Sequence, residues 1–460
     1  MTELKPLNKD MDVIRPFVKK YGGEFNELTL GSRFLWGTDE KAEYAIVDGT
    51  LILRETYDEG SFFYYPIGEN VVAALKEIED YSLSRGISLR LCLLNSTQLA
   101  FAKEIYPDLK EEVLREWADY VYPAEQFKTY AGKKLSGQRN HVHKFDRTYT
   151  DYKVNIITPE SIPEIKGFLK EFETENSLDG WAAAEMPKAY ELLDNMEYLE
   201  QFGIYITVGG KIISLSIGEI AGETLFVHIE KALKEYAGAY PKTAQEFAKT
   251  FATEKVKWIN REEDCGDMGL RISKTQYHPS EIRLKPFIEV FTAFDKIVSP
   301  VRLQTERLNI EKNDGFTDYK KLCTDVEINE FWGFSYKDDI EGEPTEEKFS
   351  ALVKKLRDKK EEYSLKVMVG ETPVGEIVLW DFDFHGNLQI GFRFFKEFWG
   401  KGYAFESVGR VIEYAFSSLG VRSVRAYCLN ENARSEKLLS KLGFNLVFTD
   451  EKHKYFEKVK

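Results

Sequence analysis

Residues 398–416 read FWGKGYAFESVGRVIEYAF and place two glycines, with a lysine between them, at the mouth of an amphipathic helix pattern. Gly400 and Gly402 let the backbone approach a ligand closely, and the first turn of a helix carries N–H groups that have no partner inside it. With the helix dipole and the Lys401 charge, such a loop suits a phosphate or pyrophosphate. A tight turn needs the same glycines, so G-x-G alone leaves both readings open. Further on, NENARSEKLLSKLGF starts a second helix pattern, with Asn432 at a cap and Ser435 in the first turn.

Three other groups of residues concentrate charged and titratable side chains. The segment YAGKKLSGQRNHVHKF gathers Lys133, Lys134, Arg139, Asn140 and Lys144 with His141 and His143. On a helix, residues two apart do not share a face, so H-x-H is read as no metal site. Cations beside aromatics suit the phosphate of a nucleotide or an RNA end, and a solvated helix face explains them equally. In FVHIEKA, His228 and Glu230 lie on one side of a strand; His228 is a candidate base or a hydrogen-bonded core histidine. In WINREEDCGDMGLRISKTQY, Arg271 and Lys274 share a helix face and could contact an anion. The acids just before them, Glu262, Glu263, Asp264 and Asp267, would oppose phosphate. They fit a substrate ammonium or a solvated loop.

Length and pattern set the framework around these residues. A chain of 460 residues exceeds one compact core, so two or three domains are expected. Pro300 precedes a fresh strand pattern over 303–311, which places a boundary near 300. Beyond it come helices through YKKLCTDVEINEFWG and TEEKFSALVKKLRDKKEE, strands around YSLKVMVG, TPVGEIVLWDF and NLQIGFRFF, the glycine-opened helix, and a final strand–helix–two-strand run: an α+β layer. Before it, two comparable α+β units are expected, about 1–148 and 149–298. In the second, the order strand, loop, helix, strand, asparagine turn, helix repeats the order after 300. The net charge of −14 excludes a surface that is basic all over but not a local basic groove. Four scattered cysteines without CxxC argue against a disulfide framework or zinc site and for a reducing cytoplasm. No apolar run suggests a membrane span, and the first residues lack the apolar core of a secretory signal.

The stretch LQIGFRFFKEFWGKGYAFES, with NENARSEKLLSKLGF after it, resembles the two signature segments of the Gcn5-related N-acetyltransferases, most closely the ribosomal-protein-alanine acetyltransferase branch. The resemblance covers 301–460 and implies acetyl-CoA as acetyl donor. The backbone of Phe392 and Phe394 would pair with the pantetheine arm. Gly400, Lys401, Gly402, Tyr403 and Ala404 would surround the pyrophosphate, Asn432 would orient the pantetheine, and Ser435 would act as general acid. The strand LQIGFRF lacks the carboxylate that many relatives use as base; Asp381, with Asp383, is the candidate substitute or a solvated strand end. DYVY, the basic segment, FVHIEKALKEYAGAY and WINREEDCGDMGLRISKTQYHP together resemble the DUF2156 family, the C-terminal domain of phosphatidylglycerol lysyltransferases. That resemblance covers about 1–295 and implies two tandem acetyltransferase-like folds and transfer from aminoacyl-tRNA.

The expectation is therefore a cytoplasmic α+β chain of three acyl-CoA N-acyltransferase-like units. Its C-terminal domain, 299–460, would acetylate a primary amine on a small molecule or protein N-terminus. Its N-terminal half, 1–298, would be a second acyltransferase drawing on aminoacyl-tRNA, with Arg139, Asn140, His228, Glu230, Arg271 and Lys274 as substrate contacts. The alternative is a non-catalytic N-terminal module that binds substrate, tRNA or a partner. Two acetyltransferases in one chain fit less well, since EYAGAYPK offers only Gly238 before its helix and Pro241 suits a first helical turn. Neither DNA nor a metal is expected.

Overall fold

Strand residues after 300 alternate poorly and are apolar on both sides, as in Thr372–Trp380, and such strands need a layer on each face. The computed structural model, which describes residues 3–37, 42–57, 60–176, 178 and 180–460, supplies these layers. The chain divides into two units, one of Met1–Glu77, Arg90–Thr97 and Glu111–Phe287 and the other of Ile78–Leu89, Gln98–Lys110 and Ile288–Lys460.

In the second unit, eight strands form one sheet in the order 302–304, 309–312, 362–369, 372–380, 387–394, 423–429, 453–459 and 445–449. Every neighbour is antiparallel except Asn387–Phe394 with Ser423–Leu429, which are parallel and joined through the helix Tyr403–Tyr414. Val408, Val411 and Ile412 on that helix and Leu439 on Ala433–Lys441 pack with Ile377, Leu379, Leu388, Ile390 and Val424 of the sheet. The strand expected over 303–311 is a hairpin: Arg302–Gln304 pairs with Asn309–Lys312. The polar run Thr305, Glu306 and Arg307 makes its turn. The helix expected over YKKLCTDVEINEFWG is only Tyr319–Thr324, with turns beyond it.

The first unit holds a seven-stranded sheet ordered 281–283, 119–123, 258–260, 224–232, 211–221, 202–208 and 153–156. Here too a single parallel pair, Thr224–Ala232 with Trp258–Asn260, is crossed by a helix, Ala239–Phe251. Asp119–Pro123, expected with the preceding subunit, is hydrogen-bonded into this sheet between Trp258–Asn260 and Glu281–Arg283. Nearer the N-terminus, Gly60–Tyr64 runs parallel to Leu89–Cys92, connected through the helix Val71–Leu83. The same β–α–β crossover therefore occurs three times within a mixed α+β chain, as the three acyltransferase-like units require.

Candidate functional site

The parallel pair in the C-terminal sheet opens. Asn387, Leu388 and Gln389 pair with Ser423, Val424 and Arg425, and the rungs stop there although both strands run on to Phe394 and Leu429. The backbone groups that face the gap can be read from the opposite edge. Phe395 N–H donates to the Val374 carbonyl at 3.0 Å. In an antiparallel ladder the groups of 393 and 395 then point to Thr372–Trp380, and those of 390, 392 and 394 point into the gap. Phe392 offers both N–H and C=O there. Phe394 offers its N–H alone, because its carbonyl accepts the Trp399 indole N–H at 2.8 Å.

At the end of this gap lies the glycine loop. Gly400 and Gly402 have φ of +75° and +82°, and Gly402 is the N-cap of Tyr403–Tyr414. A Cβ on Gly400 would meet nothing within 4 Å, so the floor in front of the helix N-terminus is open. Lys401 stands over the Phe398 ring at 5.0 Å, while Tyr403 and Ala404 begin the helix. A brace that the sequence alone does not reveal fixes the loop. Glu406, in the first helical turn, accepts from Thr305 Oγ1 (2.5 Å), Arg307 N (3.0 Å) and Arg307 Nε (2.7 Å), and Arg307 Nη1 donates to the Lys401 carbonyl at 3.1 Å. Nothing in the linear sequence ties Arg307 to a loop nearly a hundred residues later. Open backbone edges, orphan N–H groups and two cations suit a pantetheine arm ending in a pyrophosphate.

A cleft runs through this gap and across the sheet, lined among others by Trp332, Phe334, Glu362, Trp380, Phe392, Tyr427, Asn432 and Ser435. Asn432 Oδ1 accepts the Ser435 N–H at 3.1 Å, so the asparagine caps its helix and keeps its amide N–H groups for a ligand. Glu376 is buried and saturated: it accepts from Arg393 Nε (2.9 Å) and Nη2 (2.8 Å), Ser364 Oγ (2.5 Å), Asn313 Nδ2 (3.1 Å) and Tyr319. It positions Arg393, and its hydrogen bonds are committed within the protein. Asp381 is moved out of the site. It lies exposed in the turn after Trp380, bonded to Gln389 Nε2 at 2.7 Å, because the strand ends one residue earlier. Asp383 accepts from Asn387 N and Nδ2, both at 2.8 Å, and serves the same turn.

The first unit's matching crossover is closed. Thr224, Leu225 and Phe226 pair with Trp258, Ile259 and Asn260, again three rungs before divergence. Side chains bridge the diverging strands: Arg261 Nη2 donates to Glu230 at 2.6 Å, and His228 Nδ1 meets Glu262 at 2.7 Å. Gly238, with φ +89° at the N-cap of Ala239–Phe251, stands where Gly402 stands in the other crossover. A Cβ there would come within 2.5 Å of the His141 carbonyl oxygen, because the helix Ser136–Thr148 lies across the loop.

Of the remaining candidates, all but Asn140 are occupied internally. His228 is buried with Nε2 2.9 Å from Glu219, which also accepts Gly31 N–H at 2.6 Å. Burial alone would lower its pKa, but the two flanking carboxylates outweigh it and raise it to about 10, so the ring is an imidazolium clamp and not a base. Arg271 grips Asp264 through Nε (2.9 Å) and Nη2 (2.8 Å), and Lys274 Nζ donates to the carbonyls of Arg261 (2.6 Å) and Glu263. Arg139 Nη1 donates to the carbonyls of Tyr130 (2.5 Å) and Gly132 (3.1 Å), while Asn140 is exposed on Ser136–Thr148. His141 and His143 lie on this helix, two residues apart. Lys133, Lys134, Arg115 and His278 face a separate surface cleft with no acidic residue among the described residues of its lining.

Splayed parallel strands crossed by a helix that starts at a glycine loop define the acyl-CoA N-acyltransferase fold. Residues 20–285, more than half of the chain, match the family described as phosphatidylglycerol lysyltransferase, C-terminal, and the chain belongs to that family. Residues 307–445 match the acetyltransferase (GNAT) domain. Similar proteins include the uncharacterized N-acetyltransferases YoaA (37% identical over 60 residues, 13% of this chain and 34% of the relative) and YnaD (30% over 104 residues, 22% and 61%), both of Bacillus subtilis. The chain thus spans between a third and three-fifths of these relatives. A crystal structure of a conserved protein of unknown function from Bacteroides thetaiotaomicron is 29% identical, covers 63% of this chain and 99% of its own, and superposes with a TM-score of 0.58. The chain therefore combines a lysyltransferase-type C-terminal domain with a GNAT acetyltransferase domain, a class of acyltransferase that uses acyl-CoA. Among the described residues no helix is long and apolar enough to cross a membrane.

Proposed function

We propose that the domain over 299–460 transfers the acetyl group of acetyl-CoA to a primary amine, on a small molecule or a protein N-terminus. The carrying observation is the open gap beyond Gln389–Arg425 that leads to an unobstructed glycine loop at a helix N-terminus. Phe392 and the Phe394 N–H would hold the pantetheine by strand addition, and Gly400 to Ala404 with Lys401 and Arg307 would hold the pyrophosphate. The donor supplies an activated acyl carbon. Asn432 would orient its arm, and Ser435, in the same cleft, would return a proton to the departing sulfur.

The N-terminal half, 1–298, takes a different donor in this reading, since its own gap is bridged by Arg261–Glu230 and its glycine is covered. The acid-free basic cleft at Lys133 and Lys134 supports contact with the phosphates of an aminoacyl-tRNA. A second reading, a binding module without catalysis, is favoured by one observation: His228, Glu230, Arg271 and Lys274 are all engaged within the protein. Calorimetric titration of acetyl-CoA into the full chain tests the first proposal. One site per chain is expected; no binding would end the acetyltransferase reading.

A further inference from the structure

The C-terminal cleft contains a carboxylate that neither the sequence motifs nor the cofactor contacts use. Glu362 begins the strand Glu362–Val369 and lies directly opposite Trp380, which lies opposite Gln389. Residues opposite one another in a sheet share a face, so Glu362 and Trp380 stand on the same side as Gly391, two residues beyond Gln389 where the strands part. A Cβ on Gly391 would meet the Trp380 ring at 2.8 Å and touch the Trp332 ring at 3.5 Å; only a glycine lets the Trp380 indole lie over the strand at this point. Phe334 and Tyr427 stand edge-on to Trp380 at 6.4 and 6.3 Å. The result is an aromatic box with the Glu362 carboxylate at its corner, in a cleft that Asp339 and Glu376 also line.

We infer that Glu362 is the proton acceptor for the incoming amine, and that this amine arrives as a cation against the ring of Trp380, because the Arg393 guanidinium already stands over the Trp332 ring at 4.3 Å. This rests on the acetyltransferase reading. Three features single out Glu362. It lines the cleft, it is only partly exposed, and no hydrogen bond or ion pair from the described residues holds its carboxylate, whereas the neighbouring Glu376 is fully engaged. Two strand spacings separate its backbone from Gln389, roughly 10 Å, which a glutamate side chain and one bridging water span. Around it stand Glu376 and Arg393 on the neighbouring strands, Asp339 on the covering loop and Glu361 beside it. Burial first, then repulsion from Glu376, lifts its pKa to about 7, and Arg393 offsets only part of this. A base so poised is half ionised at neutral pH. Aromatic faces attract an ammonium without neutralising the base that must deprotonate it.

In the balanced step, the ammonium loses a proton to the Glu362 carboxylate and the freed nitrogen pair forms the C–N bond to the acetyl carbon. Collapse of the adduct breaks the C–S bond; the thiolate takes a proton through Ser435, which is made good by the second proton shed from the nitrogen, and Glu362 later releases the first to solvent.

The test uses the full chain and Glu362→Gln, with Glu362→Asp as the conservative variant. Acetyl-CoA affinity is measured by calorimetry, and CoA release is monitored with benzylamine, spermidine and Ala-Gly-Gly as probe amines. Expected are unchanged acetyl-CoA affinity, a 10²- to 10⁴-fold loss of amine-dependent release in Glu362→Gln, partial retention in Glu362→Asp, and a rise of wild-type kcat/KM with pH through about 7 that vanishes in Glu362→Gln. Turnover in Glu362→Gln within threefold of wild type overturns the inference and leaves the acetyltransferase reading intact; wild type that does not bind acetyl-CoA overturns both. Should none of the three amines react, carbon-13 NMR of labelled glutamate carboxyls decides. The resonance missing from Glu362→Gln titrates near 7 if the inference holds, and below about 5, the ordinary carboxylate range, if it does not.

Discussion

Gly402→Asp separates the two crossovers of this chain by a single charge. The backbone at 402 is left-handed, which costs an L residue about 1–2 kcal/mol, with aspartate at the low end, and a carboxylate at a helix N-terminus returns about 0.3–1 kcal/mol. The C-terminal domain should therefore melt within a few degrees of wild type. The effect on binding is larger. A carboxylate about 5 Å from a pyrophosphate feels about 3 kcal/mol per unit charge at an effective dielectric of 20. The new Cβ also sits 3.3 Å from Arg307 Nη2, so the aspartate would draw away a cation that now serves the loop. Even after screening, acetyl-CoA should bind at least about a hundredfold more weakly, near 2.7 kcal/mol. Gly238→Ala is the counterpart: its Cβ would lie 2.5 Å from the His141 carbonyl and 3.2 Å from Phe145, so at least about 2 kcal/mol of stability should be lost with one acetyl-CoA site retained. Calorimetry with a parallel thermal melt reads both. Wild-type affinity in Gly402→Asp would refute a pyrophosphate on this loop, and two sites on the wild-type chain would refute the claim that the N-terminal crossover is closed.

His228 makes stability pH-dependent with a definite sign. Its folded pKa of about 10 lies above the unfolded 6.5, so its contribution is complete below 6.5 and is lost as pH rises towards 10, by at most about 1.4 kcal/mol per unit. Urea unfolding at pH 6.5, 8 and 9.5 should show a shallower decline in His228→Gln than in wild type; parallel slopes would contradict the clamp. Glu376→Ala strands Arg393 in a buried site and should cost the C-terminal domain about 3–5 kcal/mol, seen as an early melting transition. Lys285→Met, which removes the buried partner of Asp119, Glu27 and Glu263, should do the same to the first unit; a change under about 1 kcal/mol in either variant would speak against these networks as anchors.

The C-terminal site was legible because its parts are local. A strand, a glycine loop and a helix N-terminus succeed one another within a few dozen residues, and the groups proposed to meet the donor are mostly backbone, fixed by secondary structure alone. The α+β order shared by the second unit and the C-terminal domain was legible for the same reason, through apolar period and glycine turns, while the third acyltransferase-like unit was implied by the family resemblance. What stayed hidden depends on pairing between distant segments. The 303–311 stretch hid a hairpin, and nothing in RLQTERLNI says that Arg307 braces a loop at 401. Asp381 and Glu362 are both acids at strand ends; only the sheet register, Glu362 opposite Trp380 opposite Gln389, puts one in the cleft and leaves the other in a turn. Likewise His228, Arg271 and Lys274 have the residue types of a binding site, but the fold engages them with Glu219 and Glu262, with Asp264, and with the carbonyls of Arg261 and Glu263 respectively. The fold and the glycine loop were thus written in the order of residues, because both are carried by backbone continuous in the chain. Which charges remain free was settled by packing, because a buried ionisable side chain takes whatever partner the folded chain brings within reach.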